Sequence, residues 1–542
     1  MLSSKDQDVL LLLEGSSLPD CIVLIADPAH GVTREISDLP NVSVVSASSM
    51  EESERLAFAE VERRLRPGPK KQLQVPAIGK RVFLVGSGVV NLITALELSQ
   101  HGFDIEIFDR MPNPLRTTHF PSNSTGATFG GMDARIFSLN ESRHHLFRGK
   151  DTSFSKRSPF RKSVAEDGWL SRDVESFNQA ERAWITRLES IPYWLSGVYN
   201  EDIIKFNRES KEGWKSIFSL YPQILRGVNF NNTLLRVYQT AEAFQSAIRS
   251  EENLGALRDV IPVDRLAKIQ PCFAESIQAG SVSGALRVEG FSLNVIGFSR
   301  NLIRFLQDAG VTFHWNAELD ALTTNNEGEV TGLRFGKEER MADHVVICPG
   351  AYAKLKCETL RPTRDIASMM GMWITLPNEK NPLSAPLKIR RQGFAATEAA
   401  EGANIIPGHD AQSRPVIYCS SGHSFIGNKP DAADSSETEK LIRCIKDTAQ
   451  ELFPDKYAEA ERLGMLNVPP KYCVRPWTPS GLGIFDTLRT ISGGHLILTG
   501  GHNTGGFAQA PAVAKAVLST VNNQPHVMFE LYNPQRTQTL TS

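Results

Sequence analysis

Runs of apolar residues mark where the chain changes structure. Cys21-Ile22-Val23-Leu24-Ile25-Ala26 is a continuous apolar run of strand length, and Asn41-Val42-Ser43-Val44-Val45 is a second. Ser49 with Glu52 three residues on forms a capping-box pattern, which predicts a helix to about Arg66. Arg66-Pro67-Gly68-Pro69-Lys70-Lys71 breaks the pattern and reads as a linker. Val82-Phe83-Leu84-Val85 is a β-branched and aromatic run suited to a buried parallel strand. From Val89 to His101 the spacing turns helical, with Leu92, Ala95, Leu96 and Leu98 apolar, and Gly102 stands where a helix-terminating glycine belongs. Asp104 to Phe108 predicts the next strand, which ends in Asp109. Near the C-terminus, Gly494 to Thr499 predicts a strand, Gly500 to Gly506 is glycine-rich, and a helix is expected from about Ala508 to Thr520.

Strand, glycine turn, helix, strand and acid, in that order, predict a dinucleotide-binding unit. Gly86 permits the tight turn, and Gly88 removes a side chain where a pyrophosphate approaches the backbone. Val89 and Val90 open the helix, whose first amides and dipole favour an anion. Asp109 can accept hydrogen bonds from ribose hydroxyls, with Arg110 beside it. One position departs from the fingerprint: the third glycine is Asn91. The closing segment Gly501, His502, Asn503, Thr504, Gly505, Gly506 and Phe507 favours FAD over NAD. Its glycines let backbone press against a flat ring, and the helix behind them would face the flavin's pyrimidine end. An ordinary strand-to-helix turn has the same glycine pattern, so the two ends of the chain carry the argument together.

At 542 residues the chain is too long for one simple core, so several packed units are expected. Its formal net charge of −2 argues against a basic nucleic-acid face. Seven cysteines without a CxxC pair argue against a zinc cluster or disulfide framework and predict a reducing, cytoplasmic setting. The start of the chain has the wrong charge order for a secretory signal, and Val9 to Leu13 is too short to span a bilayer.

The motifs now resemble a family. Val85-Gly86-Ser87-Gly88-Val89-Val90, the stretch Leu286 to Leu322, Asp343 through Gly350-Ala351-Tyr352, Arg475-Pro476 with Thr478-Pro479, and the Gly500 cluster are together similar to the D-amino acid oxidase and glycine oxidase (DAO) superfamily. The wording is nearest to bacterial D-amino acid dehydrogenases. The likeness runs over roughly 80–522 and is faint over about 141–240 and 376–470. It implies an α/β protein with a Rossmann-like FAD-binding domain built from separated segments, a mixed-sheet α+β substrate domain, and here an N-terminal α/β extension. The expected division is 1–79 extension and linker, 80–140, 286–355 and 471–542 FAD-binding, and 141–285 and 356–470 substrate domain.

The resemblance also implies chemistry: oxidation of the C–N bond of a small amino acid or related amine by hydride transfer to the flavin, giving an imine that water hydrolyses. Arg475 is then expected to hold the substrate carboxylate bidentately, which fixes orientation as well as affinity. No strong general base is needed if the amine binds neutral. Further cofactor contacts are expected from Thr125, Gly126, Ala127, Gly130 and Gly131 in a small-residue loop, and from Leu319 and Gly350. Some sarcosine-oxidising relatives attach FAD covalently through a cysteine shortly before the Thr-Pro pair, and Cys473 stands in that neighbourhood, although a strand cysteine is more often a small apolar core residue. His502 is expected to bond locally, and Asn503 or Thr504 to cap the last helix. His144-His145 and Glu437-Thr438-Glu439 lack metal-ligand spacing and read as solvated surface. The electron acceptor is O2 or a redox partner, and residues 1–79 offer a homo-oligomer or partner contact. Two alternatives stay open: oxidation of an N-alkyl or cyclic imino acid, and a non-catalytic flavoprotein subunit.

Overall fold

The structure, a computed structural model, describes residues 2–3, 22–25, 42–45, 47, 49–65, 81–117, 136–144, 159–352, 364–390, 402–410, 412–428, 435–468 and 471–537. Two sheets organise them. The first has six strands in the order Thr312–Trp315, Asp104–Asp109, Arg81–Val85, His344–Ile347, His495–Gly500, Ile484–Arg489. All neighbours are parallel except the last pair. Alternation along Arg81–Val85 sorts its two faces. Val82 and Leu84 join the main core with the helix Val89–Gln100, while Phe83 joins a second cluster with Phe108, Leu322, Val330 and Leu333. Both faces are covered, as a parallel sheet requires.

The helix Gly506–Val521 packs against Val89–Gln100 and contains Pro511. Proline removes an amide from the helical ladder. The long helix Tyr193–Leu220 compensates: Ser210 Oγ accepts from Ala512 N at 3.2 Å, and Trp214 Nε1 donates to Ala508 O at 3.3 Å. Gly213 makes this approach possible, since a Cβ there would meet Pro511 Cβ at 2.5 Å.

The second sheet has eight strands, in the order Lys471–Trp477, Ala367–Pro377, Pro415–Gly427, Gly402–His409, Leu387–Arg390, Leu234–Tyr238, Gly284–Val288, Leu257–Pro262. It is mixed, because Leu387–Arg390 runs parallel to Leu234–Tyr238 and the other pairs are antiparallel. Lys471–Trp477, grouped by sequence with the FAD-binding segment 471–542, is hydrogen-bonded into this second sheet. The chain crosses to the first sheet only after Trp477.

The N-terminal extension holds a parallel three-stranded sheet, Leu2–Ser3, Ile22–Ile25 and Val42–Val45, followed by the helix Met50–Leu65. Ser49 Oγ accepts from Glu52 N at 3.3 Å, the N-terminal cap that the sequence predicts. This helix docks on its own chain: Phe58 stacks on Trp194 with ring centroids 5.2 Å apart, and Glu62 pairs with Arg536.

Candidate active site

The turn after Arg81–Val85 shows why two glycines stand there. Gly86 has φ +97, and a Cβ on it would lie 2.6 Å from Cys348 O. Gly88 has ordinary backbone angles, and a Cβ on it would meet no described residue within 4 Å. The first is glycine for the turn itself; the second adds no side chain at the start of Val89–Gln100, which has no side-chain cap. Asp109 holds this turn from the neighbouring strand. Its Oδ2 accepts from Ser87 N and Ser87 Oγ, both at 2.6 Å, and its Oδ1 accepts from Met111 N at 2.8 Å. Arg110 beside it is exposed.

Asn91 does by hydrogen bonding what the third glycine does by size. Its Nδ2 donates to Val85 O and Gly86 O, both at 2.9 Å, so the helix is tied to the strand end it leaves. The side chain is fully buried, where such bonds are strongest.

The closing loop meets this turn from the far end of the chain. A Cβ on Gly506 would lie 3.8 Å from Val90 Cγ2, so two helix N-termini converge. Gly505 is the N-cap of Gly506–Val521 and offers no side chain. Asn503 and Thr504 do not cap it. Asn503, at φ +52, accepts from Thr478 N at 3.3 Å and donates to Gly481 O at 2.5 Å, while Asn503 N donates to Pro476 O at 2.8 Å. Thr504 Oγ1 lies 3.1 Å from Ser142 Oγ. Gly501, at φ +61, sits against Thr478. His502 is buried, with Nε2 3.1 Å from Thr499 Oγ1, and burial pushes its pKa down to about 4. It stays neutral across ordinary pH. Phe507 turns away and stacks on Trp214, centroids 4.8 Å apart. Gly350, at φ +61 with no described residue within 4 Å of its Cβ position, starts the turn after His344–Ile347. Leu319 lies in the second core cluster. Thr125, Gly126, Ala127, Gly130 and Gly131 lie outside the described residues.

Arg475 lies on the edge strand Lys471–Trp477. Its Nη1 donates to Gly422 O at 2.9 Å, reaching across the middle strand. A β-bulge makes this reach possible. Met370 pairs with Ser424 and Met372 with Ser421, so Gly371 alone faces both Gly422 and His423. Gly422 has φ +122, which suits glycine at a bulge. The bulge also aims His423 at a ring cluster: it stacks on Trp169 (centroids 5.1 Å, 17°) and meets the edge of Trp477 (5.7 Å, 75°).

A cleft opens here, lined by Ser142, Arg143, His144, His423, Trp477, Asn503 and Thr504, among others. His144, read from sequence as solvated surface, is buried: its Nε2 lies 2.9 Å from Ser480 O, and Gly481 leaves room for its ring. Its neighbour His145 lies outside the described residues. Thr438 is also buried, whereas Glu439 is exposed and pairs with Arg443. His423, Trp169 and Trp477 were not singled out in the sequence. The signal for them was the strand glycines Gly371 and Gly422, because glycine inside a strand marks a bulge.

A family model described as FAD dependent oxidoreductase (DAO) matches residues 81–519. The chain belongs to this family. DAO-family proteins are FAD-dependent oxidoreductases, so this chain is an enzyme whose cofactor is FAD. The residues present are compatible with that group: Gly88 adds no side chain at the helix start, and two helix N-termini without side-chain caps converge beside it, a setting that favours an anion such as a pyrophosphate.

Solved structures give the same fold. Glycine oxidase from Bacillus cereus ATCC 14579 matches with a TM-score of 0.54 and 14% identity, over 84% of this chain and 98% of that one. L-proline dehydrogenase from P. horikoshii matches with 0.54 and 13%, over 85% and 98%. Iminodiacetate oxidase from Chelativorans sp. BNC1 matches with 0.53 and 13%, over 84% and 99%.

Within the DAO-family frame, Cys473 is a buried member of a small apolar cluster with Trp373, Val416, Tyr418 and Met465. No described helix is long and apolar enough to cross a membrane, and no described group of His, Cys, Asp and Glu could hold a metal ion.

Proposed function

We propose that this enzyme oxidises the C–N bond of a small amino acid or related amine, and that Arg475 holds the substrate's carboxylate. The observation that carries the reading is the anchoring of Arg475 on Gly422 O, the residue before His423, which lines a cleft together with Trp477, Asn503 and Thr504. A guanidinium held by a backbone carbonyl has a set direction, so a carboxylate meeting it loses less freedom on binding. FAD supplies the hydride acceptor when bound. The chain's own residues supply orientation: Arg475 sets the carboxylate, and Trp477 and His423 wall the cleft. His502 is held neutral by burial and contributes no positive charge beside the closing helix. The relatives named for glycine, L-proline and iminodiacetate support the reading. In each of those compounds a carboxylate adjoins a carbon bonded to nitrogen.

The test is anaerobic flavin bleaching with a panel of amino, N-alkyl amino and cyclic imino acids, in wild type and in Arg475→Ala and Arg475→Lys. Loss of a charge-assisted fork should reduce transition-state binding by about 2–5 kcal/mol, and lysine should not restore it. FAD binding should survive both changes. Equal reduction rates and half-saturation in wild type and Arg475→Ala would remove the carboxylate from Arg475. The same preparation decides attachment at Cys473: flavin colour that stays with acid-precipitated protein supports a covalent link, and colour in the supernatant makes Cys473 a core residue.

A further inference from the structure

Trp477 ends the strand that carries Arg475. Two residues apart on a strand, their side chains share a face and stand about 7 Å apart. The Trp477 side chain is buried at 5% exposure, yet its indole N–H has no hydrogen-bond partner among the described residues. A buried indole N–H ordinarily has one, and leaving it without one is unfavourable. Its surroundings are built to hold it still. Trp169 and His423 pack against its ring edge-on, at 5.9 Å and 5.7 Å. Its backbone forms an isolated bridge with His502 of the closing loop. The indole therefore stands where the two sheets meet, on the wall of the cleft that also touches Asn503 and Thr504.

We propose that the Trp477 indole N–H is a second donor to the substrate carboxylate, positioning it together with Arg475. This rests on the reading of Arg475 above. A carboxylate has about four lone-pair sites, more than one guanidinium fork fills. A donor about 7 Å along the same face can reach the far oxygen of a group that lies between the two side chains. Arginine alone leaves a carboxylate free to pivot about the fork axis; a second donor off that axis stops the pivot and fixes the direction of the Cα–H bond. In this arrangement Trp477 is a positioning residue, and it favours substrates with a planar carboxylate over esters, amides and simple amines.

The experiment compares holoenzymes of wild type, Trp477→Phe, Trp477→His and Arg475→Ala. Trp477→Phe keeps an aromatic ring and removes the donor; Trp477→His restores a ring N–H. Acetate, a bare carboxylate, is titrated against the visible flavin spectrum, and anaerobic reduction by the best amino acid gives kcat and KM. The expected result is acetate affinity and KM both weakened about tenfold in Trp477→Phe, the size of a hydrogen bond to a charged acceptor. The ligand-free spectrum and FAD content should be unchanged, and Trp477→His should recover part of the loss. Unchanged acetate affinity in Trp477→Phe, with Arg475→Ala weakened, overturns the inference and leaves the Arg475 reading standing. Unchanged affinity in Arg475→Ala overturns that reading instead. A shifted ligand-free spectrum or lost FAD in Trp477→Phe would assign the indole to the cofactor and also overturn the inference. If Trp477→Phe does not fold, Trp477→His against wild type decides: acetate affinity within about fivefold of wild type supports the inference, and affinity weakened by about tenfold or more overturns it.

Discussion

Glu62 and Arg536 form an ion pair across 474 residues of sequence, with both side chains 1% exposed. Arg536 Nε meets Glu62 Oε1 at 2.7 Å, its Nη1 meets Asp202 at 2.8 Å, and its guanidinium lies over the Tyr199 ring at 4.9 Å. Those carboxylates hold its pKa above the ordinary arginine value despite burial. The N-terminal helix, the long helix and the C-terminal segment are thus joined at one guanidinium. Tyr532, four residues before Arg536, continues the connection: its hydroxyl donates to Gln509 Oε1 at 3.0 Å in the closing helix.

Removing one member of a buried pair leaves a charge uncompensated, at a cost of about 3–5 kcal/mol. Asp202 remains beside Arg536, so Glu62→Ala should fall near the lower end. The exposed pair Arg55–Glu201 is the control, where Arg55→Ala should change stability by less than about 1 kcal/mol. Thermal unfolding of both variants checks this. Equal midpoints would mean that the N-terminal helix contributes nothing to the stability of the rest.

Gly86 and Gly88 should separate folding from cofactor binding. Gly86→Ala meets a positive φ and the Cys348 carbonyl together, so the turn itself should distort and stability should fall. Gly88→Val has normal backbone angles and meets no described residue at its Cβ, so the protein should fold with nearly wild-type stability and lose FAD. Circular dichroism and flavin absorbance of the two variants give the contrast. A yellow Gly88→Val protein would move the pyrophosphate elsewhere.

The FAD-binding sheet was legible because its signals are local. A β-branched run, a glycine turn and a helical period each announce themselves within about ten residues. Asn91 read as a defect because sequence shows only the missing glycine; the two backbone carbonyls it binds appear only once the turn is folded. The sheet that Lys471–Trp477 joins was not legible for a different reason. A strand next to the closing motif in sequence can pair with either sheet, and its partner Ala367–Pro377 lies about a hundred residues upstream. His144 was read as solvated surface and His423 was passed over because burial is a tertiary property. Nothing around His144 in sequence anticipates the Ser480 carbonyl that meets it.

Stability should fall on mild acidification through His344. Burial, then the neighbouring His495, pushes its pKa from 6.5 down to about 4. His344 Nδ1 also accepts from His495 N at 3.1 Å, which requires that nitrogen unprotonated. The folded state therefore binds this proton less readily than the unfolded state. The contribution is present above about pH 6.5, is lost as pH falls towards 4, and amounts to about 3 kcal/mol. His344→Asn places an amide oxygen near Nδ1 without a titrating ring. Its unfolding midpoint should vary less between pH 7 and 5 than that of wild type; parallel profiles would assign the acid sensitivity to another group.

Gly422→Ala tests whether the bulge serves the site. At φ +122 an alanine is strained, and its Cβ would lie 2.8 Å from Leu441 Cδ2. The Leu441 side chain can shift, but the backbone angle cannot be kept without strain, so the bulge should relax towards a regular ladder. That moves two things at once: the carbonyl that anchors Arg475 and the direction of His423. On the proposed role of Arg475 both bear on substrate orientation, and a displacement of about 1 Å can cost about a hundredfold in rate. Substrate-driven flavin reduction in Gly422→Ala should slow by about ten- to a hundredfold while FAD content stays at the wild-type level, because the Gly86–Gly88 turn and Asp109 belong to the other sheet. Arg475→Ala in the Gly422→Ala background should then add little, since the arginine has already lost its anchor. Full additivity of the two losses would show that Gly422 and Arg475 act independently.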